Sequence, residues 1–136
     1  MRWLLTVAFI PAASLAANAE PNCENPATTY DFNVCGSREV ERAQAEMQRY
    51  FEAAKSRMQK EEPQAVAALE NAQMAWTSYQ GMHCGAIYAR WQGGTIRGPA
   101  SVQCAIDLTR QRTHQLWADF LTYPDSTPPL LPEPRK

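Results

Sequence analysis

The sequence predicts an all-α protein: a small disulfide-stapled helical bundle built on a long antiparallel helix pair plus a third helix. Three observations carry this prediction. Apolar residues recur at steps of three and four along most of the chain, and no segment shows the alternation of a strand. Four cysteines, Cys23, Cys35, Cys84 and Cys104, are spread across a chain too short to rely on a large core.

The first element is an export signal. Met1 and Arg2 supply a positive start, Trp3 to Leu15 an apolar stretch broken only by Thr6, Pro11 and Ser14, and Ala17-Asn18-Ala19 the small residues of a cleavage site. Residues 1–19 therefore read as a signal peptide cleaved before Glu20, which sends the protein to the periplasm or out of the cell. The stretch is short for a membrane span, and no later segment approaches the ~20 apolar residues required. Cys23 lies behind Glu20-Pro21-Asn22 rather than directly after the small residues, so no lipid anchor is expected.

Residues 20–123 form the expected helical domain. Val40, Ala43, Met47, Tyr50, Phe51, Ala54 and Met58 make one stripe of a long amphipathic helix. Ser37 reads as its N-cap, with Glu39 and Glu41 in the first turn. Upstream, Thr28-x-x-Asp31 can open a shorter segment carrying Cys35. Gly36 either separates the two pieces or sits inside one helix at a cost of ~1 kcal/mol. Glu61-Glu62-Pro63 breaks the pattern, since proline suits a first turn and disfavours helix before it. A second helix follows with Val66, Leu69, Ala72, Trp76, Tyr79, His83 and Ile87 on one face, and Gly93-Gly94 stops it. The third helix aligns Val102, Ala105, Ile106, Thr109, Thr113, Leu116 and Phe120 and ends at Tyr123-Pro124. Residues 124–136, with Pro128, Pro129, Pro132 and Pro134, read as a disordered tail.

Four cysteines in a short exported domain read as two disulfides. Three pairings are open. Cys23–Cys35 with Cys84–Cys104 is favoured because both close local loops, each worth about 3 kcal/mol in the chain-entropy model. The competing bond is Cys35–Cys84, which a hairpin turning near residue 61 brings almost level. No C-x-x-C knuckle is present and His83 and His114 are far apart, so no metal is expected.

Charge excludes some functions. The chain has 13 Lys and Arg against 14 Asp and Glu. Without Arg2 the exported part carries 12 against 14, a net −2. Residues 20–75 have ten acids and six bases, residues 76–136 four acids and six bases. No basic stripe points to nucleic acid. No nucleophile elbow, zinc-protease motif or glycine-rich phosphate loop is present, so no enzyme and no cofactor is expected. His83 reads as a packed or half-exposed imidazole, His114 as solvent-facing, and Trp76, Tyr79 and Tyr88 as core or half-buried packing rather than a sugar-binding platform. Gly93-Gly94-Thr95, flanked by Arg90, Trp91 and Arg97, has two readings: a tight connection needing positive φ, or an exposed contact loop.

One ordered set of residues remains: Ala72-Gln73-x-x-Trp76-x-x-Tyr79, Cys84, Gly93-Gly94-Thr95, Cys104 and Thr109-x-x-Arg112-x-x-x-Leu116, preceded by Cys23, Cys35 and Tyr50. It resembles the lysozyme inhibitor LprI-like N-terminal domain family over about Cys23 to Leu121. Two positions depart from that family's pattern: Gln80 stands where an arginine is usual, and His83 where an acidic residue is frequent. The resemblance implies a periplasmic, non-covalent inhibitor of a lysozyme. Arg90, Gly93, Gly94, Thr95 and Arg97 are then the expected partner-binding residues, with the acidic face of the first helix as the other surface. The alternative is an envelope adaptor that binds another protein without inhibition.

Overall fold

A computed structural model describes residues 20–135; the expected signal peptide lies outside the described residues. Three helices follow one another: α1 (Thr29–Glu61), α2 (Val66–Arg90) and α3 (Arg97–Phe120), with a 3₁₀ turn at Pro63–Ala65 between the first two. The all-α bundle expected from periodicity is what forms. Among the described residues no helix is long and apolar enough to cross a membrane.

α1 starts earlier than Ser37. Thr28 is its N-cap, and Thr28 and Asp31 form a reciprocal capping box. The Asp31 carboxylate accepts from the Thr28 hydroxyl (2.7 Å) and from the backbone N–H groups of Asn22 (2.9 Å), Thr28 (3.0 Å) and Ala27 (3.3 Å). One aspartate thus ties the irregular N-terminal segment to the helix. The helix then continues unbroken through Gly36. A Cβ there would stand 2.6 Å from Val102 Cγ1 on α3, so the glycine serves close helix approach rather than a break.

α3 lies between the other two. It packs along α1, running in the same direction, and carries α2 antiparallel on its other side, whereas α1 and α2 make few direct contacts. The core gathers at one end. Met47, Tyr50, Phe51, Ala54 and Met58 of α1, Val66 and Leu69 of α2, and Leu116 and Leu121 form one buried cluster around the Pro63 turn and the C-terminus of α3. Arg57 closes that end. Its guanidinium donates to the carbonyls of Phe120 (3.0 Å) and Thr122 (2.8 Å), pairs with Glu61 (2.8 Å), and lies 4.1 Å from the Tyr123 ring centroid. The Phe120 carbonyl that ends α3, and the Thr122 carbonyl just beyond it, are thereby satisfied by a cation, as the helix dipole favours.

The tail corrects an expectation. Its prolines do prevent helix, but the chain folds back across α1 and α3 rather than lying free. Leu130 N–H donates to the Leu121 carbonyl (2.9 Å), Trp117 Nε1 to Leu131 (3.0 Å) and the Tyr50 hydroxyl to Pro132 (2.7 Å). Leu131 packs on the core, and His114, expected in open solvent, sits between Trp117 and Glu133. Two aromatic donors that need partners, and an apolar side chain that needs cover, hold a segment whose composition alone reads as loose.

Candidate interaction site

The opposite end of the bundle is built on covalent bonds. Cys23 is joined to Cys35 and Cys84 to Cys104, with Cα–Cα separations of 5.5 and 5.6 Å. Both bridges flank the end where α1 and α3 begin and α2 finishes. Few large apolar residues are buried there, so the bridges supply the restraint that packing supplies at the other end.

The seam between α2 and α3 is polar and ordered. Gln73 donates to Met47 Sδ (3.5 Å) and accepts from Arg112 Nε (3.0 Å). Gln80 donates to the Ala105 carbonyl (3.2 Å) and to Thr109 Oγ1 (2.7 Å), and Thr109 donates to Ala105 (2.7 Å). Ser101 reaches the Cys84 carbonyl (3.1 Å). Burial holds Arg112 below the usual arginine range, opposed by the charge of Asp119, and its Nη2 is buried without a partner among the described residues. Gln73, Trp76, Thr109, Arg112 and Leu116 are therefore parts of the scaffold. Gln80, standing where an arginine is usual, is a cross-helix hydrogen-bonding residue.

This seam also explains a misplaced stripe. Ala72, Tyr79 and His83, expected on the buried face of α2, are exposed, whereas Gln73 and Cys84 are buried. α2 turns its glutamines toward α3 because polar side chains that meet partners there satisfy both helices. Tyr79 stacks on His83 outside, with ring centroids 5.3 Å apart, and Tyr88 is also exposed rather than packed.

Between α2 and α3 the residues Trp91–Ile96 form the candidate contact turn, exposed throughout. Gly94 N–H donates to Trp91 (2.9 Å) and Ala100 N–H to Ile96 (2.9 Å). No glycine among the described residues has positive φ, and a Cβ on Gly93 would meet nothing within 4 Å. The connection is tight, but the positive φ expected of its glycines is absent. Arg90 lies over Trp91, 5.6 Å to the centroid, and Arg97 over Tyr88, 5.1 Å. Neither arginine forms an ion pair among the described residues, whereas Arg42, Arg49, Lys55, Arg57 and Arg110 all do. A guanidinium stacked on a ring keeps its in-plane donors for another group.

The acidic face of α1 is less available. Glu39 pairs with Arg42 and Arg110, Glu46 with Arg49 and Glu61 with Arg57. Beside α2, a cleft of about 550 Å³ opens over α3, with Val40 and Glu41 on one wall, Gly81, Gly85 and Tyr88 on the other, and Val102 beneath. Sequence reasoning missed it. The signal was present in the glycines four apart and in the absence of Asp, Glu, Lys and Arg from residues 71–89. Among the described residues no three His, Cys, Asp or Glu side chains are grouped to hold a metal.

The sequence model of a family described as "Lysozyme inhibitor LprI" matches residues 22–116. An uncharacterised protein of Rhizobium meliloti (strain 1021) is 27% identical over 115 residues, covering 77% of this chain and 83% of that protein. No solved structure matches.

Proposed function

From the premise that the chain belongs to the lysozyme inhibitor LprI family, we propose that it is exported and inhibits a lysozyme by non-covalent binding, using the turn between α2 and α3. The observation that carries this reading is the pair of arginines, Arg90 and Arg97, held on aromatic rings beside Gly93, Gly94 and Thr95 and without an ion pair among the described residues. A muramidase cleft works through two carboxylates. A cation set in a rigid turn suits such a cleft and requires no chemistry of its own. The Cys84–Cys104 bridge supports the same reading, because a preorganised turn loses less freedom on binding. Two disulfides also favour a site of action outside the cytoplasm.

The test mixes oxidised protein with lysozyme and follows lysis of bacterial cell walls. Dose-dependent protection is expected, and Arg97→Ala weakens it about tenfold, the loss of one anchoring contact. Unchanged lysis at large molar excess removes inhibition and leaves the adaptor function. Inhibition that survives both Arg97→Ala and Arg90→Ala moves the site off this turn.

A further inference from the structure

We propose that the groove between α1 and α2 docks one helix of a partner protein, a segment with small residues on its buried stripe and a lysine or arginine at its middle. α1 and α2 make few direct contacts, and α3 lies between them as a floor. The cleft of about 550 Å³ is one part of the space this leaves. A second hollow of about 470 Å³ continues it, between Gln44 and Gln48 on α1 and Trp76 and Thr77 on α2. Glu41 and Gln80 line both, so the two form one groove. Its α2 wall is Thr77, Gly81, Cys84, Gly85 and Tyr88, and its α1 wall Ser37, Val40, Glu41, Gln44 and Gln48. Each set recurs at steps of one, three and four, so each wall is a single helix face. From Trp76 to Tyr88 the groove runs roughly 18 Å, at about 1.5 Å per residue.

Three features define the occupant. The glycines define how close it lies. Gly81 and Gly85 stand inside α2, where only proline is a worse helix former, and a Cβ on either would meet nothing within 4 Å. Gly36, by contrast, makes room for Val102 within the molecule. Nothing inside accounts for the α2 pair, and two glycines one turn apart on an open wall admit a second backbone at close range. Glu41 defines its charge. Among the described residues it is the only charged side chain lining either hollow, and it forms no ion pair, whereas its neighbours Glu39 and Arg42 pair with each other. A carboxylate midway along mostly apolar walls selects a cation and turns away an acidic segment. Arg97, held over Tyr88 at one mouth, repels a second cation there, so the base belongs at the middle. The walls define its backbone. They are helices with their own hydrogen bonds made, and the Gln80 amide is already committed to Ala105 and Thr109. An extended peptide finds no sheet edge here, whereas a helix satisfies its own backbone and completes a four-helix bundle. A small amine fills only the part beside Glu41.

The test uses the oxidised protein, recovered from cells expressing the full chain, and one fluorescent probe. The probe is an acetylated, amidated peptide of about 12 residues, three helical turns, with alanine and leucine on one face, glutamine on the other and one lysine central in the apolar face. Fluorescence anisotropy is expected to show saturable binding, with a gain of helical circular dichroism. Glu41→Gln weakens it about tenfold, the loss of one anchoring pair. Glu41→Lys abolishes it, and a peptide with glutamate in place of the lysine binds that variant. Gly85→Ala raises the urea midpoint of the free protein and weakens the peptide. No saturable binding up to millimolar protein overturns the proposal, as does a Glu41→Lys protein that binds the lysine peptide like the parent. A Gly85→Ala protein with a lowered midpoint overturns it too, because the glycine would then serve the molecule's own packing. So does n-hexylamine that displaces the peptide at equal concentration, since the groove would then take a small amine. Lysozyme inhibition enters none of these measurements, so either proposal can fail alone.

Discussion

Asp31 gathers four donors where α1 begins, and its carboxyl is held below the usual carboxylate range by the Thr28 hydroxyl first, then by the backbone N–H groups of Asn22, Thr28 and Ala27, with burial opposing. A folded pKa below the unfolded one means the anion stabilises the fold at neutral pH. That contribution is lost as pH falls from about 4 through the lower folded value. Asp31→Asn should therefore be less stable than the parent at pH 7, with the gap closing in acid. Urea unfolding of both proteins from neutral to strongly acidic pH measures this, and a gap independent of pH would remove the ionised cap as its cause. Gly36 makes a second claim at the same scale. Alanine gains ~1 kcal/mol of helix propensity but must displace Val102 across a helix contact, where overpacking costs 1–3 kcal/mol. Gly36→Ala should net about 1 kcal/mol of destabilisation, and Val102→Ala should relieve it in a double-mutant cycle. Simple additivity of the two would show that the helices do not meet there.

At the scale of elements, what the sequence reveals depends on how local the determining forces are. α1 and α3 were legible because their buried residues recur at helical steps, apolar from Met47 to Met58 on one, and Ile106, Thr109, Thr113 and Leu116 on the other. The bridges were legible because both span short loops. The orientation of α2 was not, since its buried stripe includes Gln73, whose place is set by Met47 and Arg112 on other helices. The contact turn could be located from Gly93-Gly94, but the pairing of its arginines with Trp91 and Tyr88 needed three dimensions. The tail was misread for the same reason: four prolines forbid helix, and nothing local announces that Tyr50 and Trp117 donate to it. Its removal therefore has a definite expected effect. Ending the chain after Tyr123 strands the Tyr50 hydroxyl and the Trp117 indole N–H and uncovers the core beside Leu131. Lost partners for two partly buried donors cost about 2 kcal/mol or more together. Chemical denaturation of the truncated and parent proteins reads this directly, and equal midpoints would mean that the strap contributes nothing.

The whole molecule divides the labour of stability between its ends. Around the Pro63 turn, apolar packing from three helices, the Arg57 cap and the returning tail hold the chain together. At the far end, where α1 and α3 begin, the restraint is mostly covalent, and the cleft and the arginine-bearing turn are found there. Apolar residues such as Met82 and Tyr88 stay outside at this end, at the expense of a core beneath them, and disulfides restore the lost rigidity by restricting the unfolded chain. The two ends should therefore respond differently to reduction. Amide exchange about Tyr50, Ala54 and Leu116 should stay slow after mild reduction, because those groups lie in the packed cluster. Exchange along residues 80–104 should accelerate as the end of α2 frays from α3. Removing only the second bridge, with Cys84→Ser and Cys104→Ser together, should reproduce the effect on α2 while leaving the Asp31-capped start of α1 protected. If inhibition depends on a preorganised turn, that variant should lose affinity through faster dissociation while its thermal unfolding remains cooperative. Protection that falls equally at both ends would show that the bridges support one indivisible core, and the separation of a packed end from a stapled end would be wrong.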